Sequence, residues 1–191
     1  PGAMASRGAG IVVQDDLLRL LRRHGAPELP FTSCLQRQYL LPDGGDGVAT
    51  AMPQRFTSWY AIYRTLRSAF PDERYHHGST LTGCGQTEGR VVARFAERSE
   101  VEADLLVCAD GSRSETRRRL LPEVEPRYAG YVAWRGLVPM EKLSARLAQM
   151  QGANWLGPHG HVLHYPVRHG GIMNFINLCE RDDARIRSSV G

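Results

Sequence analysis

The segment from Asp104 to Arg117, which reads DLLVCADGSRSETR, constrains the fold of this chain more than any other segment. Its run Leu105–Ala109 is continuously apolar, which is typical of a strand that is buried on both faces in a parallel sheet. Asp110-Gly111 ends that run abruptly, because glycine adopts backbone angles closed to other residues. Ser112 or Ser114 can then cap a following helix. The pattern therefore predicts a buried strand, a tight turn and a helix.

Such a turn is a common place for a ligand. A helix N-terminus beside the carboxyl end of a strand can bind a phosphate or sugar hydroxyls, and Asp110 would direct a carboxylate towards that crevice. An ordinary strand-to-helix turn has the same spacing. The segment by itself leaves both interpretations open.

Two amphipathic helices are predicted in the first 70 residues. One runs from Gln14 to His24, with two aspartates in its first turn and Gly25 after its end. The other is capped by Thr57 or Ser58 and runs to Ala69. Their predicted buried stripes are Leu17, Leu18, Leu20 and Leu21 in the first helix, and Tyr60, Tyr63, Leu66 and Phe70 in the second.

The remaining elements are mostly strands, and together they predict a mixed α/β (α+β) protein. A helix is expected at Met140–Met150. The predicted strands are 34–41, 48–52, 79–86, 90–96, 104–109, 131–138, 162–167 and 172–179, separated by polar or glycine-rich turns.

The composition does not indicate nucleic-acid binding, a metal site or a membrane span. The formal net charge of +4 comes largely from arginines that share helical stretches with leucines, so these arginines are expected to face solvent. Four single cysteines and the histidines lack metal-ligand spacing, so no metal site is predicted. No segment approaches the roughly 20 apolar residues of a membrane helix, and a cytoplasmic location is the expectation.

Several segments, in order along the chain, resemble the single-component flavoprotein aromatic hydroxylases, the family of para-hydroxybenzoate and salicylate hydroxylases. The segment Asp104 to Arg117 is similar to the DG fingerprint of that family. The other similar segments are Ser6–Ile11, Tyr63-Arg64, Tyr128–Tyr131, Trp134–Gly136 and Tyr165–Val167. Gly10–Gln14 and Phe56–Ser58 are most similar to the branch that acts on hydroxypyridines.

The resemblance implies a partial FAD-binding, doubly wound domain that lacks its first strand, interleaved with a mostly antiparallel substrate-binding sheet. Residues 1–30 and 57–121 would belong to the FAD-binding domain. Residues 31–56 and 122–180 would belong to the substrate sheet, and 181–191 would be a truncated end. The chain has neither the family's opening GxGxxG turn nor its late flavin motif, so an internal fragment is expected.

The resemblance also implies roles for particular residues. Cofactor contacts would come from Arg7, Arg64, Leu81, Asp110, Gly111, Ser114 and Arg117. Arg7 and Arg64 would supply positive charge to the flavin phosphates, and Asp110 would accept a hydrogen bond from the ribose or help to bridge to the pyrophosphate. Asp110 and Arg117 would also serve nicotinamide binding, and the main chain of Leu81 would lie near the adenine. His164 and Tyr165 are the candidates for catalytic residues on the substrate side, although both also fit a purely structural role.

The expected full-length protein is an FAD-dependent monooxygenase that uses NAD(P)H and dioxygen to hydroxylate an aromatic or hydroxypyridine ring. Its partner would be a small aromatic molecule, with a homodimer left open. Two alternatives remain: a flavin enzyme of the same fold with other chemistry, such as a halogenase, epoxidase or reductase, or a truncated non-catalytic protein. The 191 residues alone are expected to bind FAD poorly and to turn over nothing.

Overall fold

The computed structural model describes residues 10–167 and 171–181, which divide into two compact units. The first unit contains the described residues up to Phe70 and those from Tyr128 onward, and the second is Pro71–Arg127. These are units of spatial contact. The division into a flavin part and a substrate part that the sequence suggested is a division by function, and it stays a prediction.

The first unit is built on a seven-stranded sheet. Its strands are β1 (Gly10–Val12), β2 (Thr32–Leu40), β3 (Asp46–Ser58), β7 (Tyr131–Pro139), β8 (Ala153–Gly157), β9 (Gly160–Val167) and β10 (Ile172–Glu180). Their order across the sheet is β1-β3-β2-β8-β9-β10-β7, with β2 and β8 parallel and every other pair antiparallel.

The sheet curls so that its two halves share a core. Phe56 of β3 and Tyr165 of β9 are separated by two strands in the sheet order, yet their rings stack with centroids 4.0 Å apart. Cys34, Val167 and Ile176 complete this buried cluster.

Two helices of the first unit pack together in a second cluster. Helix α1 (Asp15–Arg23) and helix α2 (Trp59–Ala69) were both predicted, and both predictions are confirmed. Ser58 is the N-cap of α2, because its hydroxyl accepts a hydrogen bond from the amide of Ala61. The buried members of this cluster are Val13, Leu21 and Leu29.

The predicted buried stripes of these helices are partly wrong. In α2 the buried residue is Thr65, and Ala61 and Ile62 pack against the cluster, whereas Leu66 and Phe70 are exposed. In α1, Leu20 is exposed as well. Helix α2 follows β3 without a loop, so the direction in which the strand ends decides which face of the helix meets α1.

The second unit holds a three-stranded antiparallel sheet and one short helix. The strands β4 (Leu81–Thr87), β5 (Arg90–Phe95) and β6 (Val101–Ala103) lie in that order, and helix α3 is Glu115–Leu120. The first two strands match their predicted positions.

The predicted buried strand at 104–109 is wrong. Residues 105–109 have no regular secondary structure, and Leu105 and Val107 are 76% and 74% exposed. A strand that is buried on both faces needs hydrogen-bonded neighbours and a layer over each face. In the part of the chain that the structure describes, no strand pairs with this segment, so its hydrophobicity alone does not make it a strand.

Two further differences concern short elements of the first unit. The helix predicted at Met140–Met150 is broken into a 3-10 turn (Met140–Lys142), which ends at Leu143, and a short helix, α4 (Ala145–Gln149), which Ser144 caps. The strands β1 and β8 were not predicted, since neither is long enough to show a clear alternation. The mixed α/β class itself is confirmed.

Candidate functional site

The turn after the exposed apolar run has the geometry that the sequence predicted. Gly111 has φ +81°, a left-handed conformation that favours glycine, and open space surrounds the position where a side chain would begin. The amide of Ser114 donates to the carbonyl of Gly111 at 3.1 Å, which closes the turn. A ligand can therefore approach the main chain here.

The carboxylate of Asp110 is held by the start of the helix that follows it. The hydroxyl of Ser114 donates to one carboxylate oxygen at 2.6 Å, and the amide of Thr116 donates to the other at 3.1 Å. The hydrogen bond from Ser114 and then that from Thr116 lower the pKa of Asp110 from 3.8 to about 2. Asp110 is exposed and ionised, and its remaining lone pairs can accept further hydrogen bonds.

Ser114, and not Ser112, caps helix α3. It is buried, and its hydroxyl oxygen accepts the amide hydrogen of Arg117 at 2.8 Å while its own hydrogen goes to Asp110. The side chain of Arg117 folds back, with one guanidinium nitrogen donating to the carbonyl of Ser112 at 3.0 Å. The Nε of Arg117 is buried without a hydrogen-bond partner among the described residues. The exposed, ionised carboxylate of Asp110 beside the open turn fits a ligand that donates hydrogen bonds, such as a sugar hydroxyl.

Leu81 begins β4, which is an edge strand of its sheet. The backbone amides at such an edge can donate hydrogen bonds to a ligand, and the backbone carbonyls can accept them from it. One neighbouring carbonyl, that of Thr82, is already bonded by the guanidinium of Arg119. Leu81, Asp110, Gly111, Ser114 and Arg117 thus all lie in the second unit.

The two arginines of the predicted phosphate contacts lie elsewhere. Arg64 is an exposed residue of α2 in the first unit, and its guanidinium lies 5.9 Å from the ring centroid of Tyr60. Arg7 lies outside the described residues. The predicted roles of both arginines therefore stay predictions.

On the substrate side, His164 and Tyr165 are neighbours on β9 and so point to opposite faces of the sheet. The imidazole of His164 is only 1% exposed and lies between the rings of Trp155 and Phe175, each with its centroid 5.3 Å away. Burial lowers its pKa from 6.5 to about 4, so it is neutral at pH 7. Its Nδ1 lies 3.2 Å from the sulfur of Met173, and its Nε2 has no partner in the described part of the chain.

Tyr165 stands in a different environment. Its ring is buried against Phe56, and this burial raises the pKa of the phenol, while the positive charges of Arg135 and Arg37 act in the opposite direction. A phenol that stacks on an apolar ring and is influenced by the positive charge of two arginines can exchange a hydrogen bond with an acidic or anionic ring hydroxyl. Of the two candidate catalytic residues, Tyr165 has the environment better suited to a substrate contact.

Asn174 belongs to the same face of the sheet, and sequence reasoning did not find it. It lies directly across from Tyr165 in the β9–β10 register, is 1% exposed, and its Oδ1 accepts the amide hydrogen of Gly10 at 3.2 Å. Its Nδ2 is buried without a partner in the described residues. No local signal could have joined residues that are 164 positions apart.

Within residues 10–167 and 171–181, no group of three or more His, Cys, Asp or Glu side chains could hold a metal ion. No helix in those ranges is long and apolar enough to cross a membrane.

The homologues and structural neighbours of this chain are FAD-dependent aromatic hydroxylases, so the predicted resemblance is confirmed. One relative is the 2,6-dihydroxypyridine 3-monooxygenase of Paenarthrobacter nicotinovorans, with 33% identity over 87% of this chain and 43% of the relative. Another is the 6-hydroxynicotinate 3-monooxygenase of Pseudomonas fluorescens, with 29% identity over 84% of this chain and 46% of the relative. No protein-family model matches the chain.

Solved structures agree with the sequence comparison. The 2,6-dihydroxypyridine-3-hydroxylase from Arthrobacter nicotinovorans superposes with a TM-score of 0.81 at 30% identity, over 93% of this chain and 48% of that one. Klebsiella pneumoniae HpxO, complexed with FAD and uric acid, shares the fold with a TM-score of 0.74 at 23% identity, over 93% of this chain and 49% of that one. The chain spans about half the length of the relatives it matches.

Proposed function

We propose that this chain provides part of the flavin-binding surface and part of the substrate sheet of an FAD-dependent monooxygenase that hydroxylates an aromatic or hydroxypyridine ring. The observation that carries the proposal is the turn from Asp110 to Arg117. It combines an exposed, ionised carboxylate with a glycine around which there is open space. The similarity to aromatic hydroxylases over most of the chain supports it.

The residues of this turn fit a flavin dinucleotide. Asp110 would accept hydrogen bonds from ribose hydroxyls, since Ser114 and Thr116 hold its two oxygens in a fixed direction and keep it ionised. Arg117, Arg64 and Arg7 would supply positive charge to the phosphates, and the main chain of Leu81 would contact the adenine. When bound, the flavin would supply the redox and oxygen chemistry, with NAD(P)H as the reductant.

The sheet of the first unit would bind the ring substrate. Tyr165 would exchange a hydrogen bond with a ring hydroxyl, and Arg135 and Arg37 would stabilise negative charge on that ring. His164 is neutral and enclosed by aromatic rings, so its contribution would be to shape the sheet and exclude water from one face.

The test compares two proteins: the product of the complete reading frame that contains this sequence, and the 191-residue chain by itself. FAD binding is followed by fluorescence quenching and by the visible spectrum. NAD(P)H oxidation is then screened against phenols and hydroxypyridines, with products identified by mass spectrometry. We expect the complete product to bind FAD and to insert one oxygen atom into a ring. The 191-residue chain by itself should bind FAD weakly.

Asp110→Asn gives a sharper measurement. Loss of a hydrogen bond to a charged acceptor predicts an FAD affinity about ten- to one-hundredfold lower. Glu102→Gln, an exposed carboxylate on β6 of the same unit, is the matched control and should leave the affinity unchanged. A complete product that neither quenches FAD fluorescence nor purifies with flavin would refute the proposal. A chlorinated or epoxidised product would favour another chemistry on the same fold.

A further inference from the structure

The phenol of Tyr165 is confined from two sides. Phe56 stacks on its ring at 4.0 Å with the ring planes 17° apart. Gly10 lies at the hydroxyl end, so close that a β-carbon at position 10 would come within 2.4 Å of Cε2, 2.7 Å of the hydroxyl oxygen and 2.9 Å of Cζ. The absence of a side chain at Gly10 is therefore what gives the phenol its position.

Gly10 itself needs a fixed position for this contact to hold. It is the first described residue of β1, which in the described part of the chain pairs with β3 at the edge of the sheet. On its other side, the buried hydrogen bond from the Gly10 amide to Oδ1 of Asn174 joins it to the strand next to Tyr165.

The side-chain nitrogen of Asn174, Nδ2, has no partner among the described residues, so the orientation of the carboxamide is set by the hydrogen bond of Oδ1 with Gly10. A buried amide donor without a partner is destabilising. Turning the carboxamide over would bring its NH2 group against the amide of Gly10, donor against donor, so the amide of Gly10 determines the orientation.

We propose that Asn174 is a positioning residue for Tyr165: by holding the amide of Gly10, it keeps the backbone of β1 against the phenol and fixes the direction of the hydroxyl. The inference rests on the proposed function, in which Tyr165 contacts the ring substrate. In this role Asn174 acts through its hydrogen bond with the amide of Gly10. The charged groups that act on the phenol are Arg135 on β7 and Arg37 on β2.

The experiment uses the complete reading-frame product with Asn174→Leu, which removes the acceptor at similar volume. Amide exchange at Gly10 should become about five- to tenfold faster, as expected for the loss of one hydrogen bond. The phenol of Tyr165, followed by NMR of ring-labelled tyrosine and assigned with Tyr165→Phe, should titrate closer to the ordinary tyrosine pKa because water reaches it. In turnover, kcat should fall while the KM for NAD(P)H stays unchanged.

Three further variants make the test decisive. Asn174→Asp keeps an acceptor for Gly10 and should retain both its amide protection and turnover. Gly10→Ala should displace the phenol directly, and Asn177→Leu, an exposed position on the same strand, should change none of the readouts.

Two results would overturn the inference. One is fast Gly10 exchange in Asn174→Leu with an unchanged Tyr165 titration and unchanged kcat. The other is loss of Gly10 protection in the Asp variant, a result that applies even if the Leu variant fails to fold. The NMR readouts do not depend on turnover, so a product that hydroxylates no ring would refute the proposed function and leave the positioning role to be judged by Gly10 and Tyr165.

Discussion

Ser114→Ala should loosen the helix start and raise the pKa of Asp110 together. The Ser114 hydroxyl is shared between two contacts, since it accepts the amide hydrogen of Arg117 at 2.8 Å and donates to Asp110 at 2.6 Å. Removing an N-cap hydroxyl costs about 0.5–2 kcal/mol of local stability, which corresponds to about two- to thirtyfold faster amide exchange at Arg117. The same change removes the largest cause of the low pKa of Asp110, which should rise from about 2 towards 3.8.

The pH dependence follows from the sign of that shift. Because the pKa of Asp110 is lower in the folded protein than its ordinary value, its hydrogen bonds stabilise the turn fully above about pH 4. That stabilisation is lost as the pH falls through about 2. In the Ser114→Ala protein the loss should be smaller and should be complete at a higher pH, because the pKa of Asp110 in the folded protein lies closer to 3.8.

The assay is NMR, with the carboxyl carbon of Asp110 titrated between pH 1.5 and 6 and amide exchange measured at pH 6. Ser58→Ala is the matched control, because Ser58 caps α2 in the other unit, where its hydroxyl accepts the amide hydrogen of Ala61. That variant should speed exchange at Ala61 and leave the pKa of Asp110 at about 2. An Asp110 pKa that stays near 2 in Ser114→Ala would refute the assignment of its cause to Ser114.

Three further predictions concern burial. Burial lowers the pKa of His164 to about 4, so protonation of this side chain favours the unfolded state as the pH falls from 6.5 to 4. The free energy of unfolding should therefore drop by up to about 3 kcal/mol over that range. His164→Phe should flatten this part of the pH profile of stability. The buried Cys34 thiol, with its pKa raised to about 11, should react with a disulfide reagent only on unfolding, whereas the exposed Cys108 should react at once, and equal rates would contradict this. Leu105→Lys together with Val107→Lys should reduce the binding of a hydrophobic dye to the 191-residue chain. Unchanged dye binding would show that the dye does not bind at this exposed apolar run.

How much of the candidate site could be predicted from sequence depended on how local each interaction is. The turn at Asp110-Gly111 and the cap lie within a few residues of one another, so local preferences predicted the turn and limited the cap to Ser112 or Ser114, of which the structure has Ser114. The roles of Asp110 and Arg117 towards a cofactor came from the resemblance and stay predictions. For the apolar run at 105–109, the sequence pattern and the structure disagree, because a buried strand also needs neighbours that its own residues do not supply.

By itself, the sequence determined the two helices α1 and α2, most of the strands and the tight turn at Gly111, because these depend on hydrophobic periodicity and on local backbone preferences. Only the tertiary structure decided which face of α2 is buried and that the sheet curls to stack Phe56 on Tyr165. It alone also joined Asn174 to Gly10. Contacts between residues more than 100 positions apart depend on how strands are ordered and how a sheet bends, and neither property is encoded in the pattern of any one segment.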